Sequence, residues 1–289
     1  MYKAILYRTR TPSLRQLCRE LKANERLLKL VGLPRVPTHQ TFSVFINRLG
    51  EDRVRRLSEL IVRELRKYWP DFGRVLTVDG TVVKAYAKRN RGFRSTTDPD
   101  ARPGYKDHRL GKILYEFGYR LTIATDGERE IPLTGLTTPA NANESILYPT
   151  ILRQAKNLGT PFEVVIADAQ YDSRKNIWIT IRHGAKPVIQ LNPRSSKIAK
   201  LTGKRRGDAL LPIPRNSPRW KHYMAMRSAS ERVNSILKKH LGLESLKVRG
   251  LRRVATFFLI CIVAKQLQAL TAARLGRPDL SRNVLVWSY

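Results

Sequence analysis

Leucines recur at helical spacing at the start of the chain: Leu14, Leu17, Leu21, Leu27, Leu28 and Leu30, with Ser13 placed to cap the run. Gly32 and Pro34 break that pattern. Pro37 and Thr38 then open a second helix across 36–50, whose apolar stripe is Phe42, Val44, Phe45 and Leu49. A third helix is expected from about Glu51 to Tyr68, on Leu57, Leu60, Ile61 and Leu65. From Phe72 the periodicity shifts to that of strands. VLTVDG (75–80) is followed by a polar, basic stretch at 87–109 that reads as a mobile loop. Strands return at 113–126 and 130–138, with Asp126-Gly127 as the hairpin signal. A helix at about 143–158, the strand FEVVIAD, a helix at about 173–183 and the strand KPVIQL (186–191) come next. Residues 192–219 read as an irregular basic connection, and helices at about 220–240 and 251–274 close the chain.

A hairpin, then alternating helix and strand, then helices is an α/β order with a mixed sheet flanked by helices. The expected division is a small all-helical N-terminal region, 1–70, followed by an α/β domain, 71–289. Short helices joined by tight turns suit a helix-turn-helix unit for DNA binding. They suit equally a bundle that only packs on the next domain. Right-handed crossovers would bring the ends of the 75–80 and 162–168 strands to the same side of the sheet.

Composition sharpens this picture. Lys and Arg number 55 against 23 Asp and Glu, a formal net charge of +32. A field of that sign attracts polyanions, nucleic acid first, while membrane surface is disfavoured because no basic amphipathic anchor stands apart from the core pattern. The longest apolar run, 254–264, stops at Lys265 and reads as a core helix too short to span a bilayer. Cys18 and Cys261 lie in apolar surroundings without Cys/His clustering, so both are expected buried and reduced, with no zinc site. With no signal peptide legible at the N-terminus, the expected location is cytoplasmic, in a prokaryote and at the nucleoid when DNA is bound.

In a chain so poor in acids, three stand out. Asp79 ends the first strand and Asp168 the strand 162–168, while Glu231 lies on the basic helix RSASERVNSILKK (227–239). Carboxylates at buried strand ends can hold two divalent cations, which two-metal phosphoryl transfer needs roughly 3.5–4 Å apart. The ordinary alternative for each aspartate is an Arg or Lys partner. For Glu231 it is a solvated pair with Arg227, four residues earlier on the same face as Lys238. Glu244 is a rival third acid in a turn-like setting. Asp126 belongs to the hairpin turn, and Asp172 is placed to cap the next helix. Among the tryptophans, Trp178 is expected in the core, Trp220 is a candidate for stacking on DNA, and Trp287 is uninformative.

These motifs resemble the DDE transposases of bacterial and archaeal insertion sequences, in the group with a Tyr-Arg-Glu-Lys signature. VDGT (78–81) and IADAQYDS (166–173) match the first two acids, and TTPANANES (137–145) the segment between them. Arg227, Glu231 and Lys238 match the spacing around the third. Tyr223 stands one position early, leaving three residues before Arg227 where the signature has two. Residues 13–50 resemble the helical head of these enzymes. The resemblance implies an RNase H-like catalytic domain. It also implies Mg²⁺ as cofactor, two ions with Mn²⁺ able to substitute, held by Asp79, Asp168 and Glu231. The implied reaction is cleavage at element ends and transfer of the 3′-hydroxyls into target DNA. Arg227, Lys238 and Tyr223 would bind DNA phosphates. The implied partners are double-stranded DNA, as terminal inverted repeats and as target, and a second copy of the chain; no membrane is involved. An RNase H-like nuclease or resolvase that does not join strands, and a DNA-binding derivative without catalysis, are the competing readings.

Overall fold

A computed structural model describes residues 13–88, 95–109, 112–192, 208 and 211–282. The N-terminal leucines form two short helices, α1 (Leu14–Ala23) and α2 (Glu25–Leu30), parted at Asn24, whose side chain accepts from the Leu27 N–H. Leu17, Leu21 and Leu27 make a small core of their own there. The next helix, α3 (His39–Tyr68), starts at Thr38, whose hydroxyl accepts from the Thr41 N–H. It is kinked where the sequence divides it: Gly50 takes φ 63°, a left-handed value that glycine adopts at least cost. Beyond that kink, Val54, Ile61, Val62 and Leu65 are buried in the core shared with the sheet. The large core therefore begins well before residue 70.

The sheet comprises β1 (Val75–Lys84), β2 (Arg102–Arg109), β3 (Lys112–Asp126), β4 (Ile131–Pro139), β5 (Val164–Ala167) and β6 (Lys186–Ile189). Its order is β2-β3-β1-β5-β6, with β4 also paired to β3. β3 runs antiparallel to β1, β2 and β4, whereas β5 is parallel to both β1 and β6. This mixed sheet with flanking helices is the RNase H-like arrangement that the resemblance implies. β2 is a correction. Part of the basic stretch expected as a loop, Arg102–Arg109, pairs with a long extension of β3, because Gly104 lets the strand come against the Ala140 carbonyl, where a Cβ would lie 2.2 Å from the oxygen.

Helices α4 (Glu144–Asn157) and α5 (Arg174–Arg182) fall where periodicity predicts. The expected 220–240 helix is two: α6 (Pro218–Ala225) and α7 (Ser228–Lys239). Ser217 caps α6, its hydroxyl accepting from the Trp220 N–H. The final helix, α8 (Leu251–Arg274), is long and apolar enough to cross a membrane by length and composition, contrary to the short run read from sequence. It is instead wrapped by protein, buried from Val254 through Gln266 against α3 and β4. Cys261 is buried within it, Cys18 is half-buried, and both are free thiols.

One tryptophan departs from expectation. Trp178 is 55% exposed, because α5 turns its polar residues inward: Asn176 and Thr180 are buried, and Thr180 meets the Tyr148 hydroxyl at 2.8 Å. Trp220 packs, half-buried, on a small cluster of Val75, Val164, Ile166, Val188 and Ile213. Trp287 lies outside the described residues, as does most of the 192–219 connection. Asp172 does not cap α5. Ser173 does, while Asp172 pairs with Arg215 at 2.9 Å and accepts from the Asn192 N–H.

Candidate active site

Strand register assembles the first two acids. In the parallel pair, Val78 lies opposite Ala167, so Asp79 and Asp168 follow side by side. Asp168 ends β5 as expected, but Asp79 lies within β1, which continues to Lys84 because β3 keeps pairing with it. Strand alternation puts Asp79 on the face that carries Val75, and Asp168 on the face that carries Val164 and Ile166. Both are half-buried. Burial and the Asp168 charge raise the Asp79 carboxyl to about 6, and Glu231 adds to the effect. Burial raises Asp168 as well, against backbone N–H donation from Gln170 and Tyr171 and the positive charge of Arg227. Among the described residues neither aspartate is in an ion pair. Asp79 Oδ2 accepts from Asn234 Nδ2 at 2.8 Å, a hydrogen bond delivered by α7.

α7 also carries the third acid, whose position is less direct. Glu231 is half-exposed, and its Oε1 lies 2.7 Å from Arg227 Nη1. Arg227 is thus the countercharge common to all three acids, lowering both aspartates and pairing the glutamate. Among the described residues no three His, Cys, Asp or Glu side chains are gathered tightly enough to hold an ion. Lys238, one face along α7, lines a cavity of about 110 Å³ together with Asp168, Gln170 and Thr81. Tyr223 packs beside Trp220 and Met224 on the Val75–Val164 cluster, on the sheet face of the acids. Glu244, the rival, lies in a short 3₁₀ turn at Leu243–Ser245.

Behind the strand lies a pair that sequence reading passed over. Arg120, opposite Val82 on β3, forms an ion pair with Glu144, and both are buried. The guanidinium also donates to the Ala140 carbonyl. Glu144 presses against β1 where Asp79 is followed by glycine: a Cβ on Gly80 would lie 2.6 Å from Glu144 Oε2. A side chain at Gly80 would therefore displace the Glu144 carboxylate behind it. Arg120 and Glu144 also line the cavity beside Asp168, and Arg120 lowers the Asp168 carboxyl. Tyr171 completes the surroundings. Among the described residues its buried hydroxyl has no hydrogen-bond partner, and burial first, then the charges of Asp79 and Asp168, raise it well above the usual phenol range. The visible signals were an arginine inside the apolar strand run 119–124 and a glutamate in the TTPANANES segment.

The sequence profile of a family described as "Transposase DDE domain" matches residues 70–265, which include both aspartates and Glu231. The chain belongs to the transposase DDE domain family. The matched stretch runs from just before β1 into α8. No curated protein matches the chain. Among solved structures, it is similar to a piggyBac transposase synaptic complex with hairpin DNA at 12% identity and a TM-score of 0.41, covering 73% of this chain and 51% of that one. It thus spans about half the length of that protein. It is also similar to a Mos1 transposase paired-end complex with the left transposon end, at 13% identity and a TM-score of 0.26, covering 80% and 79%. A Mos1 paired-end complex with Mn gives 14% identity and a TM-score of 0.24 over 90% and 77%. Likenesses this distant add nothing to the family profile.

Two repelling, half-buried carboxylates with no ion-pair partner among the described residues fit a cation in this DDE domain. The fit is good for Asp79 and Asp168. For Glu231 it requires release from Arg227. Asn234 orients Asp79 as an outer partner, so Asn234→Ala should weaken divalent-ion affinity by roughly 10–100-fold while leaving the fold intact. Isothermal titration with Mn²⁺ would measure it, and unchanged affinity would remove Asn234 from the site.

Proposed function

We propose that the chain cuts DNA at the ends of an insertion element and joins the resulting 3′-hydroxyls to target DNA, with divalent cations held at Asp79 and Asp168. The observation that carries this reading is the pair itself: two half-buried acids side by side, Asp79 within β1 and Asp168 at the end of the parallel strand β5, without ion pairs among the described residues, inside a transposase DDE domain. Mg²⁺, or Mn²⁺ in its place, would supply Lewis-acid stabilisation of a displaced oxygen and an activated attacking oxygen.

The chain's own residues do the rest. Asn234 and the Gly80 backbone N–H orient the Asp79 carboxylate by donating to it. Arg227 stands as countercharge to the acids; drawn onto a phosphate, it would free Glu231 as the third acid. Lys238, beside Asp168 in the cavity, would hold a neighbouring phosphate. The Arg120–Glu144 pair fixes β1 from behind, and the buried surroundings limit water at the reacting atoms. Tyr223 would meet phosphate only at the margin of its packed cluster. The region 1–70 would serve DNA binding and assembly, a homodimer would handle two ends together, and the protein would work in a prokaryotic cytoplasm.

The deciding experiment is a Mg²⁺-dependent assay on duplexes carrying the inverted repeats that flank the gene, with Glu231→Ala alongside. Joined products should form and should fall by more than about 100-fold in the variant, beyond what loss of an outer-shell partner costs. Cleavage without joining would make the protein a nuclease. Binding with neither would make it a DNA-binding derivative, the reading favoured by the engagement of Glu231 with Arg227.

A further inference from the structure

Away from the acids, a groove of about 650 Å³ opens between α1, the first half of α3 and the start of α8. Arg15 and His39 line one wall, and Lys247, Arg249 and Arg253 the other, with Tyr86 between them. Among the described residues no aspartate or glutamate lines it. On α3, His39, Ser43 and Asn47 recur every fourth residue, so one polar face of the helix is turned to the groove.

The cations are held in place rather than merely crowded. Lys247 Nζ lies 5.1 Å, and Arg249 Cζ 4.9 Å, from the centroid of the half-exposed Tyr86 ring. Arg249 Nε also donates to the Tyr86 carbonyl at 2.7 Å. A cation over an aromatic face is stabilised by the ring quadrupole, and one ring here organises two like charges. Among the described residues no carboxylate pairs with Lys247, Arg249 or Arg253. Basic side chains on both walls, two of them organised on Tyr86 and interspersed with hydroxyl and amide groups, match a polyanion that runs between the walls. The volume is far beyond that of one small anion.

We propose that this groove seats the phosphodiester backbone of duplex DNA, at a place separate from the acid pair. The proposal rests on the transposase reading. The groove meets phosphates, so it positions the duplex without reading its bases. Tyr86 is a positioning residue that holds Lys247 and Arg249 at the spacing the backbone meets.

The test uses the full chain and fluorescence anisotropy across a salt series, with a duplex bearing the inverted repeat, a scrambled duplex and an RNA duplex. The double variant Lys247→Gln/Arg249→Gln should bind both DNA duplexes at least about tenfold more weakly. Its slope of log K against log salt should shrink by about 2, near 0.9 for each phosphate that is no longer neutralised. Tyr86→Leu keeps both charges, so it should weaken binding a few-fold with the slope unchanged. Wild-type affinity and slope in the double variant would overturn the groove and leave the transposase reading standing, as would a loss confined to RNA. Failure of the wild-type chain to bind any duplex would overturn both. All three groove side chains are at the surface, so an unchanged melting temperature certifies the variants as folded.

Discussion

Asp79→Asn should make the metal-free protein more stable at neutral pH while ending its response to divalent ions. In the folded chain the Asp79 carboxyl is raised to about 6 by burial and by Asp168, against 3.8 unfolded. A folded-state value above the unfolded one means that the folded protein holds the extra proton between those limits. Stability is then greatest on the acid side and is lost as pH rises through 6. The full loss is roughly 3 kcal/mol, or about 6–12 °C in a protein of this size class. Asparagine has no charge to bury, so the variant's advantage in melting temperature should open between pH 4 and pH 7 and hold above it. At pH 7.5, Mg²⁺ or Mn²⁺ at 100 times its dissociation constant should return about 2.7 kcal/mol to the wild type and little to the variant. Scanning calorimetry on both proteins, with and without ion, separates these outcomes. Equal ion responses would remove Asp79 from the cation site.

Glu144→Gln should destabilise the protein more than any change to an exposed charge. Glu144 and Arg120 are 6% and 8% exposed, and the glutamate is the ion-pair partner of a guanidinium that burial already disfavours. Removing one member strands the other charge in the interior, a loss of about 3–5 kcal/mol. The double variant Arg120→Met/Glu144→Leu, which removes both charges at similar volume, should recover most of it. Denaturant unfolding of the wild type and the two variants measures both changes. If the double variant is as unstable as Glu144→Gln, the cost lies in shape and not in stranded charge. Arg120 also lowers the Asp168 carboxyl, so the double variant should lose activity even where stability returns.

Several elements were legible because local chemistry decides them. The kink at Gly50, the hairpin after Asp126 and the boundaries of α8 follow from a glycine, a turn dipeptide and an apolar run. Asp126 was correctly read as part of the turn: it is fully buried and accepts from the N–H groups of Gly73, Glu128 and Arg129. Trp178 and β2 were misread because each depends on what packs opposite. The apolar look of NIWITI hid the fact that α5 buries an asparagine and a threonine. A basic, proline-containing stretch became a strand because β3 extends far enough to pair with it.

By itself the sequence determined most of the helices and strands, the polyanion-seeking charge, and which strands carry the two aspartates, since periodicity, composition and turn chemistry act over a few residues. Tertiary structure alone decided that Asp79 and Asp168 stand abreast, that Arg227 engages Glu231, and that Asn234, Tyr171 and the Arg120–Glu144 pair surround them. Those relations join residues as far apart as 155 positions, and only the register of a parallel sheet and the docking of α7 bring them together.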